Sequence, residues 1–196
     1  MSRITGSLLI CTLLACSGLA SADWQLDASA SSVSFVSIKN EAIAETHYFR
    51  QLQGTVSAAG KAELSIDLAS VDTGIEIRDQ RMRELLFQVA EHPQATISVQ
   101  LDAQQLSALR AARPQAMRLP LQLEVHGNSA ELQAELLAMI DSAGCLHVLS
   151  VQPVLVNASD FALVDGINAL REVAGLGSIA SVVPVSVHLQ FRATNR

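Results

Sequence analysis

Cysteine is scarce: the 196 residues hold three, and Cys11 and Cys16 fall inside an apolar N-terminal run. Without that run only Cys145 remains, so no internal disulfide can form and stability has to come mainly from packing. A lone thiol reads as a redox handle or, more commonly, as a small buried hydrophobe. Positive charge is equally short, with 13 Lys and Arg against 19 Asp and Glu. Nucleic-acid binding neutralises phosphates with basic side chains, and adhesion to anionic lipid headgroups needs basic clusters, so this chain suits neither. Aromatic residues make up 4%, which leaves few rings to grip a ligand. The sequence also has no G-x-S-x-G elbow, no H-E-x-x-H pair and no phosphate-binding loop. It has no linker, internal repeat or low-complexity tract, which argues for one domain.

What is present begins with a secretory signal. Arg3 precedes "LLICTLLAC", and "GLASA" follows, giving the charged, apolar and small-residue regions of an export segment over residues 1–22. Ala20, Ser21 and Ala22 form an A-x-A site, so cleavage is expected after Ala22 and export to the periplasm follows. The apolar run is too short for a permanent membrane helix. An alternative is that "LLAC" acts as a lipobox, with Cys16 lipidated and the protein anchored through it. Cleavage after Ala22 removes Arg3, takes the net charge from −6 to about −7, and leaves residues 23–196 as a single domain with room for a sizeable core.

That domain alternates apolar and polar residues with period two, the mark of strands with one buried face. In "MRLPLQLEVHG" Met117, Leu119, Leu121, Leu123 and Val125 share one face, and in "VVPVSVHLQF" Val183, Val185, Val187, Leu189 and Phe191 do. "AELSIDLA" and "ATISVQLDA" behave alike, through Ile66 and Leu68 and through Ile97 and Val99. "SVSFVSI", with Phe35, "QLQGTVSA", "AELQAELLAM" and "LHVLSVQPVLV" bring the total to about eight strands. A mainly β chain of this kind is a sandwich or a closed barrel.

Two segments break the period. In "SVDTGIEIRDQRMRELLF" Thr73 and Glu76 have capping-box spacing, which predicts a helix from about Gly74 to Val89 with Met82, Leu85, Leu86 and Val89 as its apolar stripe. Asp79 and Arg83 are spaced to pair. In "DGINALREVAGLGS" Asp165 is a candidate cap for a helix over 166–175, which Gly175 or Gly177 would end. "QQLSALRAAR" offers a weaker third turn.

These blocks resemble the YceI-like proteins. The residues that carry the likeness are "WQLDASASSVSFVSIKN", "SVDTGIEIRDQRMRELLF" followed by "EHPQATISV", "DFALVDGINALREVAGLGSI" and the closing "VVPVSVHLQF". The resemblance implies an antiparallel, lipocalin-like barrel of about eight strands, exported to the periplasm, whose interior holds a polyisoprenoid or another long-chain lipid such as an isoprenoid quinone, with no other cofactor. On that reading Phe35, Ile66, Leu68, Met82, Leu85, Leu86, Ile97, Val99 and Phe161 contact lipid. Arg78 and Arg171 either meet a polar head or form structural ion pairs. The chain departs from the family at Arg81, where many members carry His, so any role of that His does not transfer.

Two other classes compete. One is an enzyme built on Cys145 and His147, which two-residue strand spacing puts on one face. The other is an envelope assembly or stress protein with a closed barrel, binding a protein partner and possible as a homodimer. His47, His92, His126, His147 and His188 show no metal-ligand spacing and are expected to be solvated.

Overall fold

The computed structural model describes residues 22–111 and 113–194. The predicted signal segment, with Cys11 and Cys16, lies outside them apart from Ala22. Twelve strands build eight staves of one closed antiparallel barrel. The first stave is β1 (Ala22–Leu26) and β2 (Ser32–Lys39); the second is β3 (Ile43–Phe49) and β4 (Leu52–Ser57); the third is β5 (Lys61–Asp67) and β6 (Val71–Asp72). β7 (Gln94–Gln100), β8 (Gln115–Val125) and β9 (Asn128–Ile140) are continuous. β10 (Leu146–Ser150) and β11 (Val154–Asn157) form the seventh, and β12 (Val182–Ala193) the eighth. Neighbours in the chain are neighbours in the barrel, and β12 closes the ring by pairing with both β1 and β2. Closure leaves few free strand edges to recruit another chain.

Alternation decides which side faces in. Along β8, Leu119, Leu121, Leu123 and Val125 are buried while Arg118, Gln122 and Glu124 are exposed, and β9 matches it residue for residue from Gln115↔Ala138 to Val125↔Asn128. The staves break where side chains take over from the ladder. Ser70 Oγ accepts the N–H groups of Arg50 and Gln51 between β3 and β4 (3.1 and 3.0 Å). The run "LHVLSVQPVLV" is two strands rather than the expected one, since Pro153 has no N–H to donate. β3 was not among the expected strands: Glu45, Thr46 and His47 interrupt its apolar pattern, yet it pairs with β2 from Val33↔Phe49 to Lys39↔Ile43.

Helices close the two ends. At one end lies α2 (Ala103–Leu109), the weaker predicted turn, capped by a reciprocal Asp102–Gln105 box. At the other end α1 (Glu76–Arg81) runs into a π-helical turn over Met82–Leu86, with Phe87 N–H on Met82 O at 2.9 Å, and packs on α3 (Val164–Val173). Gly166 permits the contact: a Cβ there would lie 2.8 Å from both Leu85 O and Leu86 Cα. Gly175, at φ +62°, ends α3 with its own N–H on Glu172 O and that of Leu176 on Arg171 O, as expected for a left-handed stop.

The expected caps of α1 and α3 do not form. Thr73 gives both its N–H (2.9 Å) and its hydroxyl to the buried carboxylate of Asp79. Glu76 therefore stays free to meet Arg83 at 2.9 Å, in place of the expected Asp79–Arg83 pair. The first flanking residue of α3 is Leu163, and Asp165 lies in the first turn without a capping bond.

Candidate functional site

The inward faces do not fill the barrel. They enclose a cavity of about 270 Å³ whose wall is almost wholly carbon. Its polar contributors are Glu63 and Ser150, and Ser150 Oγ is already engaged by the N–H of Val187 at 2.9 Å. Space survives because small residues occupy inward positions: Ala62, Ala95, Ala134, Ala138 and Ala158 all line the wall, where leucine on each would close it. Well-packed interiors leave few voids larger than a water, and a dry apolar cavity of this size is suited to apolar ligands. The helical end contributes Leu86 and Phe87 at the end of the π-helical segment, Leu163 just before α3 and Ile167 on it.

Of the residues expected to contact lipid, Phe35, Ile66, Leu68, Leu86, Ile97 and Val99 line this cavity. Four others do not reach its wall. Met82 is buried within the wider core, Leu85 turns its carbonyl onto Gly166, and Phe161 is fully buried behind the wall in the turn between β11 and α3. Arg171 lies on α3 with its guanidinium 3.4 Å from Glu172. The wall also holds residues that were not singled out from the sequence, notably the alanines, Phe49, Phe87, Leu163 and Ile167. Their signal was the small residue at an inward strand position, which a filled core shares.

Arg78 sits at the helical end in a polar cluster. Its Nη1 meets Glu45 Oε2 at 2.7 Å, its Nη2 donates to Thr73 O at 2.7 Å, and Lys39 shares the same Glu45 oxygen at 2.7 Å. The hydrogen bond from Lys39, aided by Arg78, holds the Glu45 carboxyl below its usual range. Next to it, His47 is a correction to the expected solvated histidine: it is 2% exposed, its Nε2 lies 2.8 Å from Ser37 Oγ, and its ring rests on Phe35, a cavity-wall residue, with centroids 5.2 Å apart. Burial, then the Arg78 charge, pushes the imidazole pKa down and keeps the ring neutral. His47 Nδ1 and Arg78 Nε are buried without a hydrogen-bond partner among the described residues.

The remaining histidines form no reactive assembly among the described residues. The rings of His92 and His126 meet at a tilt with centroids 4.3 Å apart, and His188 is exposed on β12. Cys145 precedes β10 rather than sharing a strand with His147 as expected, and the His147 Nε2 is bound at 3.0 Å to Asp141 Oδ2, whose carboxyl it holds low. Cys145 is half-buried, and its N–H goes to the same Asp141. No group of three His, Cys, Asp or Glu stands close enough to hold a metal among the described residues. The arrangement is one that holds an apolar molecule.

Comparison with known proteins agrees with this geometry. The sequence matches the YceI-like domain over residues 24–191. The structure is similar to that of a polyisoprenoid binding domain from Saccharophagus degradans implicated in plant cell wall breakdown, at 37% identity and TM-score 0.83, over 88% of this chain and 99% of that one. Burkholderia cenocepacia BcnA shares the fold at 18% identity and TM-score 0.64, over 84% of this chain and 98% of that one. No curated protein matches.

Proposed function

The chain belongs to the YceI-like family, and from that premise we propose that it is a periplasmic binding or carrier protein for a long-chain amphipathic lipid, a polyisoprenoid or isoprenoid quinone, held in the barrel. The observation that carries the reading is the carbon-lined cavity of about 270 Å³. Moving a methylene from water into such a space is worth about 0.8 kcal/mol, so a few isoprene units outweigh the cost of immobilising them. The relative from Saccharophagus degradans, named for polyisoprenoid binding, supports the same class of cargo. It is a site for binding: of its two polar contributors, Ser150 Oγ accepts the N–H of Val187 and the Glu63 carboxylate is turned outward onto Lys61.

The polar end supports a choice of head group. Lys39 and Arg78 are set against Glu45 and the buried Asp79, so the cluster is balanced in charge. A balanced cluster in which the Arg78 Nε–H is unpaired favours an uncharged acceptor, such as a quinone carbonyl or an alcohol, over a pyrophosphate. The test is purification from periplasm under non-denaturing conditions, solvent extraction and mass spectrometry. A stoichiometric prenyl lipid is expected, and it should be lost in Leu86→Asp. An empty protein that takes up no prenyl alcohol or quinone probe would overturn the reading.

A further inference from the structure

The helical end of the barrel carries apolar side chains that it does not bury. Ile43, Ile75, Ile77 and Val173 are each 48% to 53% exposed. Hydrogen bonds bring their elements together. Arg81 lies one turn after Ile77, on the same side of α1, and its Nη1 donates to Val173 O at 3.5 Å. The loop that follows α3 is tied to the tip of the β2–β3 hairpin, where Asn40 gives its N–H to Ser178 O (3.0 Å) and accepts that of Gly177 on Oδ1 (2.9 Å). Ile43 leaves that tip two residues before Glu45, the residue that Arg78 of α1 holds, and Ile75 O accepts the Arg78 N–H at 2.9 Å. The four side chains therefore belong to one cap. A Cβ on Gly74 or Gly175 would meet nothing within 4 Å, so protein covers neither shoulder of it.

The cap also differs from the rest of the chain in charge. Residues 39–45, 75–83 and 171–177 hold five basic and five acidic side chains, so the whole formal charge of −6 resides elsewhere. Most of these charges are paired within the cap, Lys39 with Glu45, Arg83 with Glu76 and Arg171 with Glu172. An acidic molecule with one neutral end is turned by a negatively charged membrane surface so that this end leads.

We infer that this cap docks the barrel on a lipid bilayer, with Ile43, Ile75, Ile77 and Val173 entering the headgroup layer. The inference rests on the carrier reading above and gives the cargo its route. Leu86 and Phe87, which follow α1, and Ile167 on α3 close the cavity at this same end. Apolar side chains on a surface element reach about 5–10 Å into the boundary between headgroups and acyl chains. A protein partner is the poorer occupant, because a specific interface needs a packed apolar centre. Here the apolar side chains are interleaved with ion pairs, and a headgroup layer accommodates both. The contact depends on apolar area, so it should survive salt.

The experiment is co-sedimentation of the exported chain with phosphatidylcholine vesicles, with and without phosphatidylglycerol, followed by transfer of a prenyl quinone probe from vesicle to protein. The parent should bind both vesicles, and raising salt from about 0.1 to about 1 M, which cuts the screening length from about 10 to about 3 Å, should leave most of the binding in place. Ile77→Asp should weaken it at least tenfold and slow transfer in step. Val173→Gln repeats the test on α3, and Thr96→Asp, on the outward face of β7, should change neither. Because the substituted side chains lie outside the cavity, both cap variants should keep the parent's urea midpoint and its affinity for probe supplied in vesicle-free solution. A parent that takes up the probe from solution but does not sediment with vesicles overturns docking alone, as does vesicle binding unmoved by both cap variants or abolished by salt. A parent that docks through Ile77 and takes up no probe from either source overturns the carrier reading and with it the route for cargo. If the parent ignores vesicles and its sedimentation coefficient falls in Ile77→Asp, the cap meets a second copy of the chain and the inference is overturned.

Discussion

Along β2 the inward side chains run Val33, Phe35, Ser37, Lys39, and along β3, read from the same level, Phe49, His47, Glu45. Within a few residues the lining passes from the carbon wall of the cavity to a cluster of ion pairs beneath α1. The middle of the barrel is held open by alanines and carries no group that would fix a ligand's position. The helical end is packed, bonded and balanced in charge, and it supplies direction. An amphipathic molecule entering such a barrel has one end that is indifferent to where it lies and one that is not. Depth of binding is thus a property of the middle, and register a property of the end.

The sharpest way to break that contrast is to fill the middle. Ala134, 1% exposed, faces Leu119 across β8 and β9 and lines the cavity. Ala134→Phe puts a ring where ligand carbon would lie. Displacing only two methylenes forfeits about 1.6 kcal/mol, so binding of a prenyl quinone probe should fall at least tenfold. Because the ring enters existing space, stability should change little. Fluorescence titration together with a urea melt checks both halves, and a variant that binds as tightly as the parent would show that the ligand avoids this space.

A smaller effect is expected at the helical end, where Gly166 lets α3 approach the π-helical turn. Gly166→Ala drives a methyl to within 2.8 Å of Leu85 O and Leu86 Cα, and forced overpacking of this kind typically costs about 1–3 kcal/mol. Parting the two helices moves Leu86, Phe87 and Ile167, which close that end of the cavity. The thermal midpoint should therefore drop and the probe should leave faster, while the rest of the wall is unchanged. An unchanged dissociation rate in a destabilised variant would separate the helix pair from ligand exit.

These two sites also mark what could be read in the sequence. Strict alternation over β8, β9 and β12 made a sandwich or a barrel legible, and the resemblance to the YceI-like proteins selected the barrel. The helical breaks were legible too, though not their caps. Asp79 lies six residues from Thr73 and takes its hydrogen bonds through a tertiary contact that local spacing does not encode. The open interior was hidden, since Ala95 or Ala134 at an inward position belongs equally to a filled core and to an empty one. The polar end was hidden for a related reason: Glu45, Thr46 and His47 break the apolar pattern of β3, and only pairing with β2 shows that Glu45 and His47 share the inward face of Phe49.

The polar end also gives the finest test of the contrast, through pH. The folded-state pKa of His47 lies below its ordinary value of 6.5 because burial and Arg78 disfavour the imidazolium. As pH falls through about 6.5 the unfolded chain takes up a proton that the folded chain refuses. Stability that is fully present above 6.5 is then lost on acidification, at up to about 1.4 kcal/mol per pH unit for one such group. His126 is lowered as well, by burial and by the charge of His92, and so adds to the same window. Glu45 has the same sign but acts only below its ordinary value of 4.5. The urea midpoint of the parent should therefore decline from neutral pH towards pH 5, and His47→Gln, which keeps an acceptor for Ser37, should flatten part of that slope. His126→Gln should flatten more of it, and the further loss that Glu45 and Asp141 add at lower pH should persist in both variants. A parent whose stability is level between pH 7 and 5 would mean that the cluster admits water and that the polar end is as open as the middle.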